Sequence, residues 1–69
     1  MYFDPDKLWR IMVRKRISPS ALIAELGVEP RTLGVWLVGA ASPRQGHLFQ
    51  IARALGTTQE SLMSEQDTQ

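Results

Sequence analysis

The chain contains no cysteine among its 69 residues, which excludes disulfides and thiolate metal sites and leaves the redox compartment open. No apolar run reaches the ~18–20 residues that a membrane-crossing helix needs. There is no glycine-rich phosphate loop. The only histidine, His47, is flanked by Gly46 and Leu48, which offer no carboxylate or hydroxyl at triad or metal spacing. His47 therefore reads as a surface or half-buried side chain, and neither an enzyme nor a metal or cofactor site is expected. Strand alternation, internal repeats and low-complexity tracts are also missing. The start, Met1-Tyr2-Phe3-Asp4, carries an acid early, unlike a secretory signal, so a cytoplasmic protein is the expectation.

What is present fits one small domain over residues 1–69. A core at this length supplies only a few kcal/mol of net stability, so close packing or a partner subunit helps. The net charge is +1, but it is unevenly spread. Residues 7–53 hold all eight basic residues and only two acids, Glu25 and Glu29. The other acids lie at the ends: Asp4, Asp6, Glu60, Glu65 and Asp67. A basic middle between acidic ends suits nucleic-acid contact through one face. Acids also favour helix N-termini for local reasons, so charge alone leaves both explanations standing.

Prolines punctuate the chain at Asp4-Pro5, Ser18-Pro19, Glu29-Pro30 and Ser42-Pro43. Proline suits the first helical position, where its missing N–H would be unpaired anyway. Phe3 with Leu8, Ile17 with Leu22, and Val28 with Leu33 have the spacing of hydrophobic staples across three of these starts. Thr57-Thr58-Gln59-Glu60 and Ser42-Pro43-Arg44-Gln45 have capping-box spacing. Gly27, Gly39 and Gly56 fall where helices should stop. The pattern predicts an all-α fold of five helices at roughly 5–16, 19–26, 30–38, 43–55 and 58–63, with residues 64–69 frayed. The expected core is Leu8, Ile11, Met12, Ile17, Leu22, Ile23, Leu26, Val28, Leu33, Trp36, Leu37, Leu48, Ile51, Ala52, Leu55 and Leu62. Trp9 and Val13, four residues apart beside this stripe, are expected to extend it, the alternative being an exposed apolar patch for a partner.

Residues 18–39 are the most informative segment. Two short helical patterns, with apolar stripes Leu22, Ile23, Leu26 and Leu33, Trp36, Leu37, are joined by Gly27 and Val28. A tight turn of this kind makes two helices cross steeply. That is a helix-turn-helix unit, whose second helix can enter a DNA major groove.

Ser18, Leu22, Leu26-Gly27-Val28, Thr32-Leu33, Trp36, Gly39, Pro43, Leu48, Ile51-Ala52 and Ala54-Leu55-Gly56, in this order and spacing, resemble the lambda-repressor-like, Cro/Xre-type helix-turn-helix family. The likeness runs over residues 7–63. It implies a five-helix lambda-repressor-like domain with the helix-turn-helix at helices 2 and 3. The implied activity is sequence-specific double-stranded DNA binding by a small phage- or prophage-like transcriptional repressor. In such domains the exposed side of the third helix reads bases. At about 100° per residue, Arg31, Val35 and Val38 point outward, with Thr32 and Gly34 at the flanks. Arg31 suits guanine O6 and N7, Thr32 a base edge or phosphate, and Val35 a thymine methyl, while Gly34 allows close backbone approach. The helix 2 N-terminus, with the Ser18 and Ser20 hydroxyls, can hold a phosphate. Arg44 stands where related domains touch phosphate or the minor groove. Arg14 and Arg16 are further backbone candidates, although the Lys7, Arg10, Arg14 stripe also reads as a solvated face.

The chain departs from the family pattern in several places. Pro30, Gly34 and Val35 stand where polar readers are common, Pro19 where glutamine often contacts phosphate, and Ile23 where a small alanine is usual. Met12 and Leu37 occupy the positions of a family arginine–glutamate pair, an apolar swap that leaves no charge stranded. The apolar helix 3 keeps an alternative open: the same fold used as a protein-interaction module. The expected partners are palindromic DNA and a second copy of the chain, dimerising through Leu62 and Met63 with no cofactor or metal.

Overall fold

A computed structural model describes residues 2–65. Among these residues the chain is mostly helical, with four α-helices: α1 (Pro5–Lys15), α2 (Pro19–Leu26), α3 (Pro30–Leu37) and α4 (Gln45–Leu55). The expected fifth helix is a single 3₁₀ turn, Gln59–Leu62. The expected capping box from Thr57 to Glu60 is not formed; the cap is Thr58, one residue later, whose Oγ1 accepts from the Ser61 N–H at 3.2 Å. The chain then leaves the helical path, because Met63 is extended and enters a strand. Two strands, β1 (Tyr2–Phe3) and β2 (Met63–Ser64), pair antiparallel, with Tyr2 opposite Ser64 and Phe3 opposite Met63. No alternation announces strands this short. They form because the two chain ends meet. Ser64 belongs to this pairing and is not frayed; residues 66–69 lie outside the described residues.

Local chemistry explains most helix ends. Asp4 Oδ1 accepts from the Asp6 N–H at 3.0 Å and Ser18 Oγ accepts from the Ala21 N–H at 3.1 Å, while Pro5, Pro19 and Pro30 each open a helix. Proline 43 does not. The cap of α4 is Arg44, so α4 starts two residues later than its prolyl signal implies, and Pro43 serves the approach to the helix. Helix α1 stops without glycine. Arg16 takes the left-handed conformation (φ 59°), and the Ile17 N–H donates to the Met12 carbonyl at 2.9 Å. Beyond α3, Gly39 turns the chain with φ 79° where an added Cβ would stand 3.4 Å from Pro5 Cγ, so the end of α3 lies against the start of α1.

The core contains Phe3, Leu8, Ile11, Met12, Leu22, Leu33, Trp36, Leu48, Ile51, Ala52, Leu55 and Leu62. Phe3 joins it through the β1 strand. Ile17, Ile23, Leu26, Val28 and Leu37 pack against its margin, half-buried. Trp9 and Val13 do not extend it: they are 49% and 58% exposed. Leu8, Ile11 and Met12 take the inward arc of α1, and no other element covers its next flank.

Three polar contacts hold the two ends together. The Asp4 N–H donates to the Leu62 carbonyl at 2.9 Å, and Ser64 Oγ–H donates to Asp4 Oδ2 at 2.6 Å. The Lys7 ammonium donates to the Met63 carbonyl at 2.7 Å. The Ser64 hydrogen bond is the main reason the Asp4 carboxyl lies below the usual aspartate range. Desolvation opposes it, while the Asp6 and Lys7 N–H groups and the Lys7 charge assist.

Candidate nucleic-acid interface

Helix α2 packs against α3 and α4, so α3 is presented on a fixed base. Its inward face is Leu33 and Trp36. Trp36 is buried, and its ring stands 5.2 Å from that of the half-buried His47 on α4, tilted at 52°. Outward, α3 exposes Arg31 and Gly34, followed by Val38, at 78% the most exposed large apolar residue among the described residues. Val35 does not stand free as its helical angle implies. It is half-buried and packs on the core, because the chain folds back at this end of α3 and the Ala40 and Ala41 N–H groups both donate to its carbonyl. Thr32 is half-buried as well. The outer face is therefore turned toward Gly34, and Val35 keeps only an edge for contact. An added Cβ at Gly34 would meet nothing within 4 Å. Packing does not require glycine there.

The helix ends carry unusual charge. Helix N-termini favour negative groups, through the macrodipole and their unpaired N–H groups. Helix α1 follows this rule with Asp4 and Asp6, and the 3₁₀ turn with Glu60. Helices α2 and α4 have no acid at the cap or in the first turn, and α3 has one only at its cap, Glu29. Arg31 lies in the first turn of α3 and Arg44 is the cap residue of α4, both exposed. Neither the Glu29 nor the Arg44 side chain caps its helix. At α2 the Ser18 oxygen is engaged by Ala21, leaving its hydroxyl proton and the exposed Ser20 hydroxyl to meet a ligand.

Of the expected dimer contacts, Leu62 is corrected. Leu62 is fully buried in its own core, and Met63 is half-buried in the terminal ribbon opposite Phe3. Both are used within the chain, so Leu62 offers no side chain to a second copy. The helix 1 stripe is solvent-exposed at Arg10 and Arg14, and it borders a concave surface. Lys7, Arg10 and Arg14 line an open groove with Lys15, Thr57 and Ser61. The stripe is visible in the sequence at i, i+3 and i+7, but only the fold brings the two hydroxyls opposite it.

Among the described residues no group of three His, Asp or Glu side chains could hold a metal ion, and no helix is long and apolar enough to cross a membrane. Comparison with protein families, curated proteins and solved structures finds no match.

Proposed function

We propose that the chain is a double-stranded DNA-binding domain in which α2 and α3 act as a helix-turn-helix unit. In this reading it serves a small lambda-repressor-like transcriptional regulator, a cytoplasmic repressor of the phage or prophage kind. The observation that carries the reading is the placement of Arg31 and Arg44 at the positive ends of α3 and α4. In the free protein a cation at the start of α4 is locally unfavourable, by about 0.3–1 kcal/mol at an exposed site, while Glu29 at the cap of α3 offsets the same effect for Arg31. A phosphate backbone reverses the sign, since it accepts from arginine and from helix N–H groups together. Arg31 then reads a guanine, Gly34 lets α3 approach the base edges, and Val35 touches a thymine methyl by its free edge. Ser18, Ser20, Thr32 and Arg44 position the domain on the backbone.

A few base pairs read by one domain give little selectivity, so two copies on an inverted repeat belong to the proposal. Their contact would use exposed residues beside the ribbon, such as Tyr2.

The exposed apolar residues Val38, Trp9 and Val13 favour a second reading, a protein-interaction module. Selection of bound fragments from a random duplex pool, repeated across salt concentrations, separates the two. Enrichment of one motif with steeply salt-dependent affinity supports DNA binding. Absence of any enriched duplex at low salt rejects it.

A further inference from the structure

Of the residues along the groove on α1, the DNA reading names only Arg14, as a candidate backbone contact. The groove encloses about 340 Å³, within the range of small-ligand sites. Lys7, Arg10, Arg14 and Lys15 line one side, and Thr57 and Ser61 line the other. Among the described residues no carboxylate lines it. A cleft lined by one sign of charge concentrates the potential and draws in counter-ions.

Two of the cations also have structural work. Lys7 donates one of its three protons to the Met63 carbonyl. Lys15 Nζ lies near the C-terminal end of α4, 3.7 Å from where a Cβ on Gly56 would stand. Arg10 and Arg14 are exposed, one helical turn apart, with guanidinium groups suited to paired bonds with phosphate oxygens. Opposite them, Ser61 Oγ and Thr58 Oγ1 share a hydrogen bond of 2.9 Å. When Thr58 donates, the Ser61 proton is available to the groove.

The groove also faces away from the proposed DNA contact. Pro5 marks the flank of α1 that meets the end of α3. At about 100° per residue, the groove residues centre roughly 150° round the helix from Pro5. A duplex lying on α3 would not reach them without wrapping the domain.

We infer that this groove is a second anion site, which takes a compact free oligophosphate bearing two or three linked phosphates. Arg10 and Arg14 would hold successive phosphates, Lys7 and Lys15 would supply field, and Thr57 and Ser61 would donate from the far wall. Two or three linked phosphates offer enough oxygens to engage both arginines and both hydroxyls at once.

The test titrates the full chain with inorganic tripolyphosphate at about 0.15 M salt, where loose surface attraction is screened beyond ~8 Å. Calorimetry gives the affinity and amide NMR gives the location. The expected result is saturable one-to-one binding, with shifts centred on Arg10, Arg14, Thr57 and Ser61 and much weaker binding of orthophosphate. Arg10→Gln and Arg14→Gln should each weaken binding by roughly tenfold, the loss of one charge-assisted pair of bonds. Arg53→Gln, an equal charge change elsewhere on the surface, should alter it less than about twofold. All three positions are exposed, so unchanged melting temperatures should confirm that the variants fold. No saturation at millimolar tripolyphosphate, or equal losses in all three variants, would overturn the site. So would a short duplex that shifts the same groove amides, since the groove would then be a DNA-backbone contact. The proposed DNA reading is judged separately, on duplex binding by Arg31 and Arg44 variants.

Discussion

At the scale of single residues, Gly34 separates stability from function. Glycine inside a helix is less stable than alanine by roughly 0.5–1 kcal/mol, and the space around Gly34 is open. Gly34→Ala should therefore raise the melting temperature. If DNA approaches α3 closely, the same change should weaken binding of a selected duplex. Unchanged binding in the stabilised variant would show that no surface comes close to this position. The two arginines should part in a different way. Arg44→Ala should weaken binding to every duplex and lower the salt slope by about one unit. Arg31→Ala should instead relax preference at one base pair, at ~1–3 kcal/mol. Filter binding with selected and random duplexes reads both effects, and parental behaviour in both variants would remove α3 from the groove.

At the scale of elements, the contact between α1 and α3 decides whether α3 is held rigidly. Met12 is buried, and Leu37 packs against the core margin. We expect the two to share one apolar contact in place of an ion pair. Met12→Arg alone should bury an unpaired charge and cost several kcal/mol, and Leu37→Glu alone, at a half-buried position, should cost less. The double variant should recover much of that loss in a denaturant-unfolding cycle. Strictly additive losses would show that the sites are independent. The apolar character of both positions can be read from sequence. The end of α1 cannot be read this way. Arg16 takes a left-handed conformation that glycine adopts at lower cost, so no residue type marks the stop.

At the scale of the whole molecule, the joined ends respond to acid. The Asp4 carboxyl titrates below the usual aspartate value, chiefly because Ser64 donates to it. Its contribution to stability is therefore complete above the unfolded value, about 3.9, and is lost as pH falls through the lower folded value. Hydrogen exchange at Met63 and Ser64 should accelerate in that window. Ser64→Ala should move the Asp4 titration upward, and an unchanged titration would show that the ribbon contact is not formed in solution. Assembly is also a property at this scale. Sedimentation with a selected duplex should give two chains per inverted repeat. A one-to-one complex that persists with excess protein, on a site without a repeat, would exclude the dimer. Its contact cannot centre on Leu62, which the chain buries in itself.

The sequence by itself determined the elements that local chemistry controls. Proline at a first turn, a serine or aspartate cap, glycine past the last apolar residue and a 3.6-residue stripe act within a few residues, so α1, α2 and α3 were legible almost to their ends. Helical periodicity made Arg31 and Gly34 legible as exposed, while Arg44 was named from the resemblance. Tertiary structure decided what depends on residues far apart in the chain. It paired Phe3 with Met63, drew Val35 against the core, left Trp9 and Val13 uncovered, and set Thr57 and Ser61 across from the α1 cations. Helical periodicity gives the direction of a side chain from its own axis. Only the packing of the whole chain decides whether another element lies in that direction.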